Sequence, residues 1–113
     1  VQHAAAILVG NDAILTGNRP RVVALAAQHR IPALYHERAW IDAGGLVSYG
    51  VNFADLYRRS ATYVDKIFRG TKPADLPVER PTKFDLVIIL KTAKALGVTI
   101  PPSVLLRADQ VIE

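Results

Sequence analysis

Residues 84–90, Phe-Asp-Leu-Val-Ile-Ile-Leu, form an apolar run of strand length that passes without a loop into Lys91-Thr92-Ala93-Lys94-Ala95-Leu96, a short helical pattern closed by Gly97. A strand this rich in Val and Ile is expected to be covered on both faces, the condition of a parallel sheet with helices against it. Gly97 suits the left-handed residue that ends a helix, and Pro101 with Pro102 bars any continuation. The pattern predicts a last strand and a last helix, and such a strand needs neighbours.

Those neighbours are legible upstream. Residues 4–9 are an apolar run opening into Gly10-Asn11-Asp12, the pattern of a buried strand followed by a loop. Pro20 lies near a helix start, and Val22, Val23, Ala26 and Ala27 place a small apolar stripe on a helix reaching about Arg30. Residues 31–35 predict a second strand, residues 39–43 a helical turn broken at Gly44-Gly45, and residues 46–49 a third strand. Asn52 is placed to cap a long helix with Asp55 in its first turn. Phe53, Leu56, Tyr57, Ser60, Val64, Ile67 and Phe68 follow the spacing of a buried stripe, and Gly70 ends it. Residues 71–81 carry Pro73, Pro77 and Pro81 and are expected to run extended as a connector. Alternation of this kind predicts an α/β fold, a Rossmann-like parallel sheet flanked by helices.

With 113 residues, one compact core is possible and two full lobes are not. Half of the residues are apolar and 21% are charged, a balance that excludes disorder. No apolar run approaches the ~20 residues of a membrane span. Without cysteine, neither a disulfide framework nor a thiolate metal site can form. Residues 1–9 lack the basic flank and cleavage site of a secretory signal and read as an internal strand of a longer chain. The net charge of +4 is scattered among acids, with no basic stripe or aromatic platform, so no nucleic-acid partner is expected.

Leu46-Val47-Ser48-Tyr49-Gly50, the long helix, Lys72-Pro73-Ala74-Asp75-Leu76-Pro77-Val78 and Leu90-Lys91-Thr92-Ala93-Lys94-Ala95-Leu96-Gly97 occur in that order. The series resembles the C-terminal part of ABC-transporter substrate-binding proteins related to tryptophan and tyrosine importers. The resemblance implies about the last third of a periplasmic or lipid-anchored extracytoplasmic receptor, with a two-lobe periplasmic-binding-protein fold that closes on a small-molecule solute. Residues 1–47 and 82–113 would belong mainly to one lobe, and residues 48–81 would cross toward the other. The partner of the full-length protein would be an ABC permease. Apolar faces left without their sheet would favour a homodimer of the fragment. The sequence departs from the family pattern at Ile89, where Asn is common, and at Val51, where Pro commonly follows Ser-Tyr-Gly.

Strand ends place the candidate ligand-binding residues: Asn11 and Asp12, His36 and Glu37, then Ser48, Tyr49 and Asn52. Together they offer neutral hydrogen-bonding groups, carboxylates for a cationic group and an aromatic wall, as a receptor for a small polar solute requires. In the resembled family the positions of Asn11-Asp12 and His36-Glu37 line the cleft. Four of them also have a structural role open to them: Asn11 and Asp12 can cap a turn, Glu37 can pair with Arg30 or Arg38, and Tyr49 can pack on the following helix. Trp40 and the tyrosines of the long helix are expected in the core.

No catalytic set is visible, since Ser48, Ser60 and Ser103 lack a nucleophile elbow, and no cofactor is called for, since the glycines form neither a dinucleotide fingerprint nor a P-loop. His3, His29 and His36 show no metal-ligand spacing. The rival readings are a ligand-sensing regulatory domain and a doubly wound α/β enzyme.

Overall fold

The computed structural model describes residues 4–113, so His3 lies outside the described residues. In chain order the elements are β1 (Ile7–Val9), α1 (Ala13–Gly17), α2 (Arg19–Gln28), β2 (Ala33–Tyr35), α3 (Ala39–Asp42), β3 (Val47–Val51), α4 (Phe53–Phe68), a 3-10 turn (Pro73–Asp75), β4 (Phe84–Ile89), α5 (Leu90–Leu96), α6 (Pro102–Leu105) and β5 (Gln110–Ile112). The chain divides into two compact units. One comprises the residues up to Gly50 together with Asp85–Glu113, and the other is Val51–Phe84. Among the described residues no helix is long and apolar enough to cross a membrane.

The first unit is an α/β layer whose sheet runs in the order β1-β2-β3-β4-β5. The pairs β1–β2, β2–β3 and β4–β5 are parallel. The Ile89 N–H donates to Leu46 O at 2.9 Å, tying β4 to the start of β3. Val87 and Ile88 are 2% and 0% exposed. Consecutive strand residues face opposite sides, so β4 is covered on both, as its composition predicts. Tyr35 stacks on Trp40 with ring centroids 4.9 Å apart, and Val9, Val23 and Ala33 complete that cluster. The aromatic pair adds about 0.5–1.5 kcal/mol to the burial of its apolar area. Trp40 is thus a core residue, as expected.

The chain does not end its folded elements at Gly97. That residue closes α5 in the left-handed conformation at φ +71°, and Pro102 then opens a separate helix, α6, as its first residue. Proline is favoured there because the missing N–H would have had no partner in the helix. The Asp109 carboxylate accepts from the Leu86 N–H at 2.7 Å while its own N–H donates to Leu86 O at 2.9 Å, and this bracket sets β5 on β4. The Ile89 departure also acquires a meaning: Ile89 is the N-cap of α5 and offers no side-chain acceptor, whereas Asn there would supply one.

In the second unit the Asn52 carboxamide oxygen accepts from the Asp55 N–H at 2.8 Å and caps α4 as predicted. The connector does not simply run extended. It makes the 3-10 turn and then folds back along its helix, where the Tyr63 hydroxyl donates to Pro77 O at 2.7 Å and Arg59 pairs with Glu79. The apolar stripe of α4 is not buried: Tyr57 and Phe68 are 75% and 85% exposed, and Phe53, Val64 and Ile67 are exposed too. No residue of the helix is buried, so its tyrosines are not core residues.

Candidate functional site

Val9 lies level with Tyr35, and Tyr35 with Ser48, across the sheet of the first unit. Because these strands run parallel, the residues after each leave by the same edge, the carboxyl edge at which open α/β sheets build ligand crevices. Asn11, Asp12, His36, Glu37 and Tyr49 are therefore brought to one edge. Ser48 is level with them but 1% exposed, and the alternation of the strand turns Tyr49 outward at 55% exposure. A Cβ on Gly50 would stand 1.7 Å from His36 O. Only glycine permits that approach, which holds the end of β3 against the loop after β2. Asn52 belongs to the second unit, where it caps α4.

Asp12 is the N-cap of α1, an element absent from the sequence reading, and its Oδ1 accepts from the Ile14 and Leu15 N–H groups at 2.9 and 3.0 Å. That structural role leaves the carboxylate at the exposed surface. Asn11 is exposed beside it. His36 Nδ1 lies 3.4 Å from Val9 O, which makes Nδ1 the donor and fixes the ring across the ends of β1 and β2. Glu37 pairs with neither of its sequence neighbours. Its Oε1 accepts from Arg19 Nη2 at 2.7 Å, with the two side chains 19% and 25% exposed, while Arg38 turns instead to Asp42 and Gln110.

Arg19, which the sequence reading did not single out, packs beside Glu37 and over Trp40, which it placed in the core. Arg19 opens α2, where a cation faces the positive end of the helix dipole at a cost of roughly 0.3–1 kcal/mol. That misplaced charge, in a first turn without an acid, was the available signal. Its guanidinium carbon lies 5.4 Å from the centre of the Trp40 ring, and the His36 ring meets the same indole edge-on at 5.8 Å. Among the described residues Arg19 Nε, Trp40 Nε1 and Thr16 Oγ1 are buried side-chain atoms without a hydrogen-bond partner. Each such atom costs about 1–3 kcal/mol. The node therefore holds a partly exposed charge pair above an aromatic floor, with the unsatisfied nitrogen donors of Arg19 and Trp40 in it.

The burial of Tyr35 raises its phenol above the ordinary value. In the second unit, Leu56, Arg59, Ser60, Tyr63, Pro77, Val78, Glu79 and Arg80 line a pocket of about 280 Å³. The hydrogen bond from Arg59 holds the Glu79 carboxyl below its ordinary range. Among the described residues no group of His, Asp or Glu side chains is arranged to hold a metal ion.

Residues 1–112 match a family model described as ABC transporter substrate binding protein. A tyrosine-binding protein of Clostridioides difficile is 23% identical over 90 residues, which are 80% of this chain and 26% of that protein. Among solved structures, the ABC domain in complex with L-Trp from Streptococcus pneumonia is 35% identical with a TM-score of 0.87, over 96% of this chain and 37% of that one. A conserved domain protein from Vibrio cholerae is 28% identical with a TM-score of 0.90, over 96% of this chain and 36% of that one. The chain thus spans about a third of the solved structures, and about a quarter of the tyrosine-binding protein.

Proposed function

Because this chain belongs to the ABC transporter substrate-binding protein family, we propose that it forms part of an extracytoplasmic receptor that captures a small amino acid, of the aromatic kind, for an ABC importer. The single observation that carries this reading is the common edge of β1, β2 and β3, where Asp12, Glu37 and the outward-turned Tyr49 stand together. A carboxylate there receives the solute's ammonium group, Asn11 and His36 offer neutral polar contacts, and Tyr49 faces its apolar part. The solute is held between two lobes of the full-length receptor, and closure follows binding because the closed state alone makes all of the contacts. The loaded receptor then delivers the solute to its permease. No bond of the solute is broken.

The match to a domain solved with L-Trp supports an aromatic amino acid as the solute. A thermal-shift screen of the full-length polypeptide against the twenty amino acids and small carboxylates tests the class. A true solute at a hundred times its Kd stabilises the folded state by about 2.7 kcal/mol, a rise of several degrees in Tm. A panel without any such rise would refute the reading.

A further inference from the structure

The Arg19–Glu37 pair is placed where local rules disfavour it. A cation opens a helix, one guanidinium nitrogen is buried without an acceptor, and the indole beneath it, 0% exposed, has an unsatisfied N–H. Departures of this kind from local consistency concentrate at functional sites. The pair is nonetheless reachable, since both side chains keep a fraction of their surface exposed, and it lies between Asp12 and Tyr49 in the run of strand ends just described. Arg19 Nε is an obligate donor, so it favours a ligand atom that accepts, and a positive guanidinium favours one that is negatively charged.

Resting on the proposed receptor function, we infer that Arg19 is the residue that selects for the solute's carboxylate, and that the Arg19–Glu37 pair is exchanged for two pairs with the solute. The carboxylate takes the guanidinium, and Glu37, released from Arg19, joins Asp12 in facing the ammonium group. Before binding, each charge is the other's counterion, so neither has to be stripped of water alone. A solute with only one of the two ionic groups leaves one member of the pair uncompensated. The site thereby discriminates against amines and against simple acids. The indole of Trp40, stacked on Tyr35 below the guanidinium, reports the exchange because Arg19 moves relative to it.

The test is calorimetric titration of the full-length polypeptide with L-tryptophan and L-tyrosine, then with tryptamine and tyramine, which lack the carboxylate, and with indole-3-propionate, which lacks the ammonium. The wild type is expected to prefer the better amino acid over its amine by about 10- to 100-fold, the worth of one charged hydrogen-bonded contact. Arg19→Gln should bring amino acid and amine to within about threefold of one another, Arg19→Lys should restore part of the preference, and Glu37→Gln should weaken the amine while sparing indole-3-propionate. Binding of L-tyrosine, which carries no indole, should also change the indole fluorescence, Trp40 being the single tryptophan of this segment. If Arg19→Gln weakens amino acid and amine equally, with its melting temperature lowered, Arg19 is only structural and the inference fails while the receptor reading stands. If the wild type binds no amino acid of the panel, both fail.

Discussion

At the scale of single residues, the site is held by contacts whose removal has separable consequences. Gly50→Ala should cost about 3 kcal/mol or more, because the new methyl meets backbone rather than a side chain that can move. Gly97→Ala meets open space and only loses the left-handed preference at φ +71°, so about 1 kcal/mol is expected. Chemical denaturation of both variants checks the contrast. Asp12 requires a more careful substitution, since it caps α1 as well as facing the candidate site. Asp12→Asn keeps an equally good cap, so stability should change by less than about 0.5 kcal/mol while solute affinity falls about tenfold or more. An affinity unaffected by this change would reduce Asp12 to its capping role. The sequence pointed to these residues through strand ends, but the partner of Glu37 was illegible. Arg30 and Arg38 are nearer along the chain, and only the parallel pairing of β1 with β2 brings the start of α2 to Glu37.

At the scale of elements most were legible, the short β1, β2 and α3 included, and α1, α6 and β5 were not. The double burial of β4, the Gly97 cap and the Asn52 cap of α4 all follow from local chemistry. α1, α6 and β5 carry too few residues to show a period, and β5 depends on the Asp109 bracket, a contact that spans 23 positions. α4 was read correctly as a helix and wrongly as buried, because spacing gives the stripe but not its cover. In the 113-residue chain Tyr57→Ser with Phe68→Ser should therefore change stability by no more than about 0.5 kcal/mol per site, and should reduce any self-association seen by light scattering. A loss of 2 kcal/mol or more would show the stripe to be packed. The connector should respond to acid. Glu79 has its carboxyl held below the ordinary value of 4.5, chiefly by the hydrogen bond from Arg59. A depressed carboxylate contributes stability above the unfolded value, and that contribution is lost as pH falls through the lower folded one. Corrected for the intrinsic exchange rate, the protection of amides across residues 76–82 should fall below pH 4.5, and Arg59→Gln should remove that loss of protection. Exchange rates that stay parallel in the two proteins down to pH 3 would contradict this assignment.

At the scale of the whole molecule, the α/β layer and the family were legible because alternating strands and helices, and an ordered series of motifs, survive in the sequence without any knowledge of contacts. The solute was not, because its choice depends on a few loop residues whose partners only folding decides. Receptor capture predicts that affinity resides in the polar edge of β1, β2 and β3, and that it depends on charge and on an aromatic wall together. The most direct measurement is a calorimetric titration of the full-length polypeptide with L-tryptophan and L-tyrosine, repeated on Asp12→Asn and Tyr49→Ala. Saturable binding of one solute per chain, weakened about tenfold or more by each substitution, is the predicted result. Heat of binding from neither amino acid, or binding that both substitutions leave intact, would contradict the account.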